Sequence, residues 1–117
     1  MAASERLICS SADLLDGGRG VRFEISQYGR GEPAFAIRYR GRVYAYLNRC
    51  GHVPTKLDSN EGEFFNMSGL YLICATHGAL YSPTTGACMG GKCAGRGLSA
   101  LTVREYDGNI YLTQEGD

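Results

Sequence analysis

The chain has no tryptophan, three prolines, two histidines and no surplus of either charge, twelve Lys and Arg standing against twelve Asp and Glu. Each scarcity excludes something. Balanced charge leaves no basic stripe to neutralise phosphates, so nucleic acid is not an expected partner. Arg38, Arg40 and Arg42 alternate as one face of a strand would, not as a phosphate-binding patch. No apolar run exceeds a few residues, far short of the ~20 that span a bilayer, so no membrane is expected. The opening residues Met1 to Arg6 carry an acid and lack an apolar stretch. No export signal is expected, and the expected location is cytoplasmic. There, cysteines are more often metal ligands than disulfides. With little proline, 17 glycines in 117 residues, about twice the usual share, indicate tight loops rather than disorder.

What is present is mostly a period of two. Val21 to Ile25 alternates, as does Ala34 to Tyr39, and Val43 to Leu47 is β-branched and aromatic after a Gly41 turn. Leu70 to Ile73 is a short strand. Leu101 to Glu105 and Ile110 to Leu112 flank Asp107-Gly108, a strong hairpin signal. Ser11 to Leu15, ended by Gly17-Gly18, is a helical turn short enough to be 3₁₀. Strands recurring every ten or so residues indicate an all-β fold, a small antiparallel sandwich or barrel, in one domain over 1–117. The stretches 49–69 and 77–97 are read as glycine-rich loops, and they hold most of the cysteines and histidines.

Cysteines stand at 9, 50, 74, 88 and 93, and histidines at 52 and 77. Each histidine closely follows a cysteine: Cys50-Gly51-His52 and Cys74-Ala75-Thr76-His77. Such spacing lets one tight loop aim two side chains at one point, and Gly51 and Gly78 allow backbone amides to approach sulfur. The bland alternative is buried thiols beside ordinary histidines; the pairing of both histidines with cysteines favours a metal site. Two metals compete. Zinc would take all four ligands in a closed tetrahedral site. A two-iron, two-sulfide cluster would place both cysteines on one iron and both histidines on the other.

C-x-H followed by C-x-x-H resembles the Rieske motif. The likeness extends through His77-Gly78-Ala79-Leu80-Tyr81, Thr85-Gly86 and the Asp107-Gly108 hairpin, and upstream to the strand Val43 to Leu47. The resemblance implies a Rieske fold with a cluster-binding subdomain at one end, its loops at about 48–58 and 74–97. It implies one [2Fe–2S] cluster, with Cys50 and Cys74 on the first iron and His52 and His77 on the second through Nδ1. Two thiolates and two neutral imidazoles make the oxidised centre formally neutral. Its potential should therefore lie well above the roughly −400 mV of plant-type clusters.

Within that family, the cysteines of a loop-joining disulfide are missing at Thr55 and at Ala75 or Thr76, and no anchor helix is visible. Both histidines are used, leaving none for a mononuclear iron. The resemblance thus implies a soluble electron carrier that does no bond chemistry itself, between a flavin-containing reductase and an oxygenase or other oxidoreductase. The alternatives are a non-catalytic small subunit of a larger reductase, like that of nitrite reductases, and a zinc-stabilised binding module. Some features depart from the pattern. The segment 59–66 is longer than usual; Phe64 and Phe65 are expected to pack this arm onto the domain, and Asp58, Glu61 and Glu63 are acids that would orient a basic partner. Ala79 replaces a serine donor to a bridging sulfide, while Tyr81 is retained, which implies a potential low in the Rieske range. Cys88 and Cys93 are expected to be free thiols, with a disulfide or a ligand role as the alternatives. Cys9 is expected to be a small buried hydrophobe.

Overall fold

The computed structural model describes residues 4–27, 30–49, 57, 62–66, 68–74, 78–90 and 97–114. The strands in chain order are β1 (Ser4–Ser10), β2 (Val21–Gln27), β3 (Arg30–Tyr39), β4 (Arg42–Leu47), β5 (Leu72–Ile73), β6 (Leu80–Tyr81), β7 (Cys88–Gly90), β8 (Ala100–Leu101), β9 (Val103–Tyr106) and β10 (Asn109–Gln114). The expected helical turn is a 3₁₀ turn, Ser11–Asp13, capped by the Ser10 side chain. The strands form three sheets, ordered β1-β10-β9, β2-β3-β4-β8 and β5-β6-β7, and every ladder is antiparallel. The all-β antiparallel expectation therefore holds.

The four-stranded sheet is the partition of the molecule, and β3 shows why. Ala34, Phe35, Ala36 and Ile37 are all fully buried, so both faces of the strand are covered. The large residues point one way. Phe35 and Ile37 join Tyr46, Leu57, Phe64, Leu72, Cys74 and Tyr81 in one core. The small residues point the other way, where Ala36 and Ala45 meet Leu14 and Ile110 of the β1-β10-β9 side. Period-two alternation of large and small side chains thus builds two cores on one sheet.

Four sequence expectations need correction. Arg38, Arg40 and Arg42 do not share a strand face. Tyr39 pairs with Arg42, and Arg40 and Gly41 are the turn between them, with φ of 50° and 84°. Positive φ at both central positions is the hairpin geometry that matches strand twist. The Asp16 carboxylate accepts from both turn amides, at 2.7 and 3.0 Å, which offsets the cost of a non-glycine residue there. The run read as one strand, Leu101 to Glu105, breaks at Thr102: Leu101 pairs with Ala45 in one sheet and Val103 with Leu112 in another. The second glycine-rich stretch is not all loop, since it carries β6 and β7. Leu70 precedes the strand proper and is 48% exposed.

The arm behaves as expected where it is described. Phe64 is fully buried and stacks on Phe35 with ring centroids 4.0 Å apart. Phe65 bridges to Leu72 and stacks near Tyr39. The Gly20 amide donates to the Gly62 carbonyl at 2.8 Å. A side chain at Gly20 would meet the Ala36 carbonyl and the Phe64 ring, each at 2.7 Å, so glycine is what lets the arm close on the sheet. Burying one such phenylalanine stabilises by about 1.5–3 kcal/mol. Glu63 is exposed, whereas Asp58 and Glu61 lie outside the described residues.

Candidate metal centre

Of the four expected ligands, Cys74 lies within the described residues; Cys50, His52 and His77 lie outside them, as does Cys93. Among the described residues no group of three or more His, Cys, Asp or Glu converges. What the structure gives is Cys74 and the frames from which both ligand loops spring.

Cys74 follows β5 directly. It is fully buried in the larger core and forms no disulfide. Its amide donates to the Ala79 carbonyl at 2.9 Å, and its carbonyl accepts from the Gly78 amide at 2.7 Å. Cys74, Gly78 and Ala79 therefore close the end of the β5-β6 hairpin. Gly78, at φ +71°, supplies the left-handed residue this closure needs. The loop's base is fixed further where the Ile73 amide donates to the Phe64 carbonyl at 2.8 Å. Ala79 and Tyr81 are both fully buried behind the loop. Ala79 brings no side-chain donor.

The first ligand loop is framed by Asn48 and Leu57. Asn48 is 1% exposed. Its amide donates to the Pro33 carbonyl at 2.8 Å, and its Oδ1 accepts from the Leu57 amide at 2.8 Å. Leu57 is itself fully buried in the core that holds Cys74. Arg49 pairs with Glu32 at 2.7 Å beside this root.

The turn after β6 is closed by its own backbone bonds. Gly86 donates to the Ser82 carbonyl at 2.8 Å and accepts from Leu98 at 2.7 Å. The buried Tyr46 hydroxyl donates to the Pro83 carbonyl at 2.7 Å, and burial pushes its pKa well above the ordinary tyrosine value. A Cβ on Gly86, which has φ +76°, would lie 2.8 Å from the Tyr46 ring. Asn48, Tyr46 and Gly86 were not singled out for these roles from the sequence. A polar residue closing an apolar strand two positions before Cys50 was the available signal for Asn48.

Cys88 corrects an expectation. It is disulfide-bonded, not a free thiol, and its partner lies outside the described residues. Cys9 is half-buried against the second core, and burial is the main cause of its thiol pKa being pushed up to about 11. The sequence expectation is a small buried hydrophobe; the residue is half-buried instead.

The chemistry of the visible part suits a soft metal. A buried sulfur beside a backbone-closed turn is compatible with a thiolate ligand. The donor set implied by the motif, two thiolates and two imidazoles, fits a [2Fe–2S] cluster.

A family model described as Rieske [2Fe-2S] domain matches residues 5–107. Among curated protein sequences no match is found. Solved structures resemble the chain over nearly its whole length. The Sphingomonas yanoikuyae B1 ferredoxin is 21% identical with a TM-score of 0.73, covering 96% of this chain and 100% of that one. The ferredoxin of carbazole 1,9a-dioxygenase from Nocardioides aromaticivorans IC177 is 20% identical with a TM-score of 0.71, covering 96% and 99%. A chain in the complex of reduced oxygenase and oxidized ferredoxin in carbazole 1,9a-dioxygenase is 19% identical with a TM-score of 0.72, covering 97% of each. At these identities the likeness establishes the fold. Among the described residues no helix is long and apolar enough to cross a membrane.

Proposed function

The chain belongs to the Rieske [2Fe-2S] domain family, and on that premise we propose that it is a single-electron carrier of the ferredoxin kind. Cys50 and Cys74 would hold one iron of the cluster, and His52 and His77 the other. Bound there, the cluster supplies a one-electron couple. The observation that carries the reading is Cys74, a fully buried sulfur where the β5-β6 hairpin closes, at the position the C-x-x-H motif requires.

The remaining work is done by the chain's own groups. The backbone bonds of Cys74, Gly78 and Ala79 hold the two ends of the stretch that would carry Cys74 and His77. Asn48 and Leu57 fix the ends of the other loop. The core of Phe35, Phe64, Leu72 and Tyr81 excludes water from the sulfur side, which disfavours added negative charge there. Ala79 offers no hydroxyl to sulfur, and each donor withheld leaves the more negative, reduced state less stabilised. A potential low in the Rieske range follows. The partners proposed are a flavin-containing reductase as donor and a terminal oxygenase or other oxidoreductase as acceptor. The similar chain in the complex of reduced oxygenase and oxidized ferredoxin in carbazole 1,9a-dioxygenase supports the acceptor side of this pairing. The single domain over 1–117 and the ligand assignment belong to the same proposal.

The test is reconstitution with iron and sulfide under argon, followed by visible and EPR spectra before and after dithionite. Bands that bleach on reduction, with a rhombic EPR signal, are expected. Serine at Cys50 or Cys74, and alanine at His52 or His77, should each abolish that signal. A colourless protein holding one zinc in the same ligands would contradict the reading.

A further inference from the structure

We infer that Asn48 is a positioning residue that sets the span of the first ligand loop before any metal binds. The inference rests on the proposed ligand role of Cys50 and His52. A primary amide at 1% exposure is costly to bury and contributes little to stability unless it is hydrogen-bonded. Among the described residues, Asn48 is bonded to two different destinations. Its backbone amide is tied to the Pro33 carbonyl on β3 at 2.8 Å. Its side-chain oxygen reaches nine positions along the chain to the Leu57 amide at 2.8 Å. The strand before it is fixed as well, because the Leu47 amide donates to the Ser99 carbonyl at 2.9 Å. Leu57 is locked independently, by a side chain fully buried among Phe35, Tyr46 and Leu72.

The consequence is a loop whose two ends are held one hydrogen bond apart by the protein itself. Cys50 and His52 are carried on that loop by sequence. Were the span left open, metal binding would have to supply the ordering of the loop, and retention would fall. The Cys74 loop has a backbone counterpart in the Gly78 to Cys74 and Cys74 to Ala79 bonds. The first loop lacks such a backbone closure among the described residues, and the Asn48 side chain stands in for it.

The experiment measures cluster release to a ferrous-iron chelator, by the decay of visible absorbance, in the reconstituted full chain. Asn48→Leu keeps the branched shape and removes the acceptor; roughly tenfold faster release or more is expected. Asn48→Asp keeps an acceptor at the same reach, though as a buried carboxylate without the amide's donor, and its release should be slower than that of Asn48→Leu. Ile110→Val loosens the opposite core and should leave release unchanged, which separates positioning from general stability. Amide exchange of the metal-free wild type gives a readout that needs no variant: the Leu57 amide should be as protected as the amides of β3. Equal release from Asn48→Leu and wild type, equally fast release from Ile110→Val, or an unprotected Leu57 amide would each overturn the inference. If Asn48→Leu does not fold, the exchange data decide. A wild-type chain that takes up no cluster overturns the ligand assignment itself, a failure distinct from any of these.

Discussion

The Tyr46 hydroxyl is held out of water, with the residue 1% exposed and its proton donated to Pro83. Burial raises its pKa above the ordinary 10.0. The sign follows from that. The folded state keeps Tyr46 neutral where the unfolded chain would ionise it, so its contribution is complete below about pH 10 and is lost as pH rises further. Tyr46→Phe should cost about 1 kcal/mol at neutral pH, and the gap from wild type should close above pH 10 in denaturant titrations. A gap that widens in alkali would contradict this. At this level the sequence was informative wherever chemistry demands a residue type. Cys74 was legible from its spacing to His77, and Phe64 and Phe65 from their apolar pairing. Asn48 and Tyr46 were not, because a buried amide or hydroxyl is recognised by its partners, and Leu57 and Pro83 are nine and thirty-seven positions away.

β3 and β9 are joined across the molecule by one ion pair. The Arg38 guanidinium, 15% exposed, meets the Glu105 carboxylate, 29% exposed, at 2.5 Å and also donates to the Leu14 carbonyl at 2.9 Å. The hydrogen bond from Arg38 is the main cause holding the Glu105 carboxyl below its ordinary 4.5. A lowered folded-state pKa means the stabilisation is present above the unfolded value and is lost as pH falls through the folded one. Glu105→Gln should therefore cost about 1 kcal/mol at pH 7. Thermal unfolding should show the two proteins converging below about pH 4. A constant difference down to pH 3 would mean that Glu105 acts through packing instead. The strands themselves were largely readable: β2, β3 and β10 show an apolar period of two, and β4 a β-branched and aromatic run. The break between β8 and β9 was not, because Leu101 and Val103 keep the same period while they pair with different strands, Ala45 and Leu112. Alternation reports which side chains are buried and is silent on which neighbour buries them. The two- and three-residue strands β6 and β7 are too short to carry a period at all.

Two cores on opposite faces of one sheet, with the ligand loops rooted in only one of them, give this fold its division of labour. The Phe35, Phe64, Tyr81 and Cys74 side holds the proposed centre, while the Ala36, Ala45 and Ile110 side closes the domain. The cysteines show where inference from cell compartment falls short of geometry. A cytoplasmic expectation favoured free thiols at Cys88 and Cys93, yet Cys88 is bridged. Of five cysteines, one bridge removes two, so three thiols should react in the metal-free, unreduced, denatured protein. Five would restore the earlier expectation. The most direct measurement is a spectroelectrochemical titration of the reconstituted chain. Histidine–cysteine ligation with one sulfur donor withheld predicts a single one-electron wave in the lower half of the interval of about −150 to +300 mV. A wave near −400 mV, as for plant-type all-cysteine ligation, or no wave at all, would contradict the assignment of His52 and His77 as ligands.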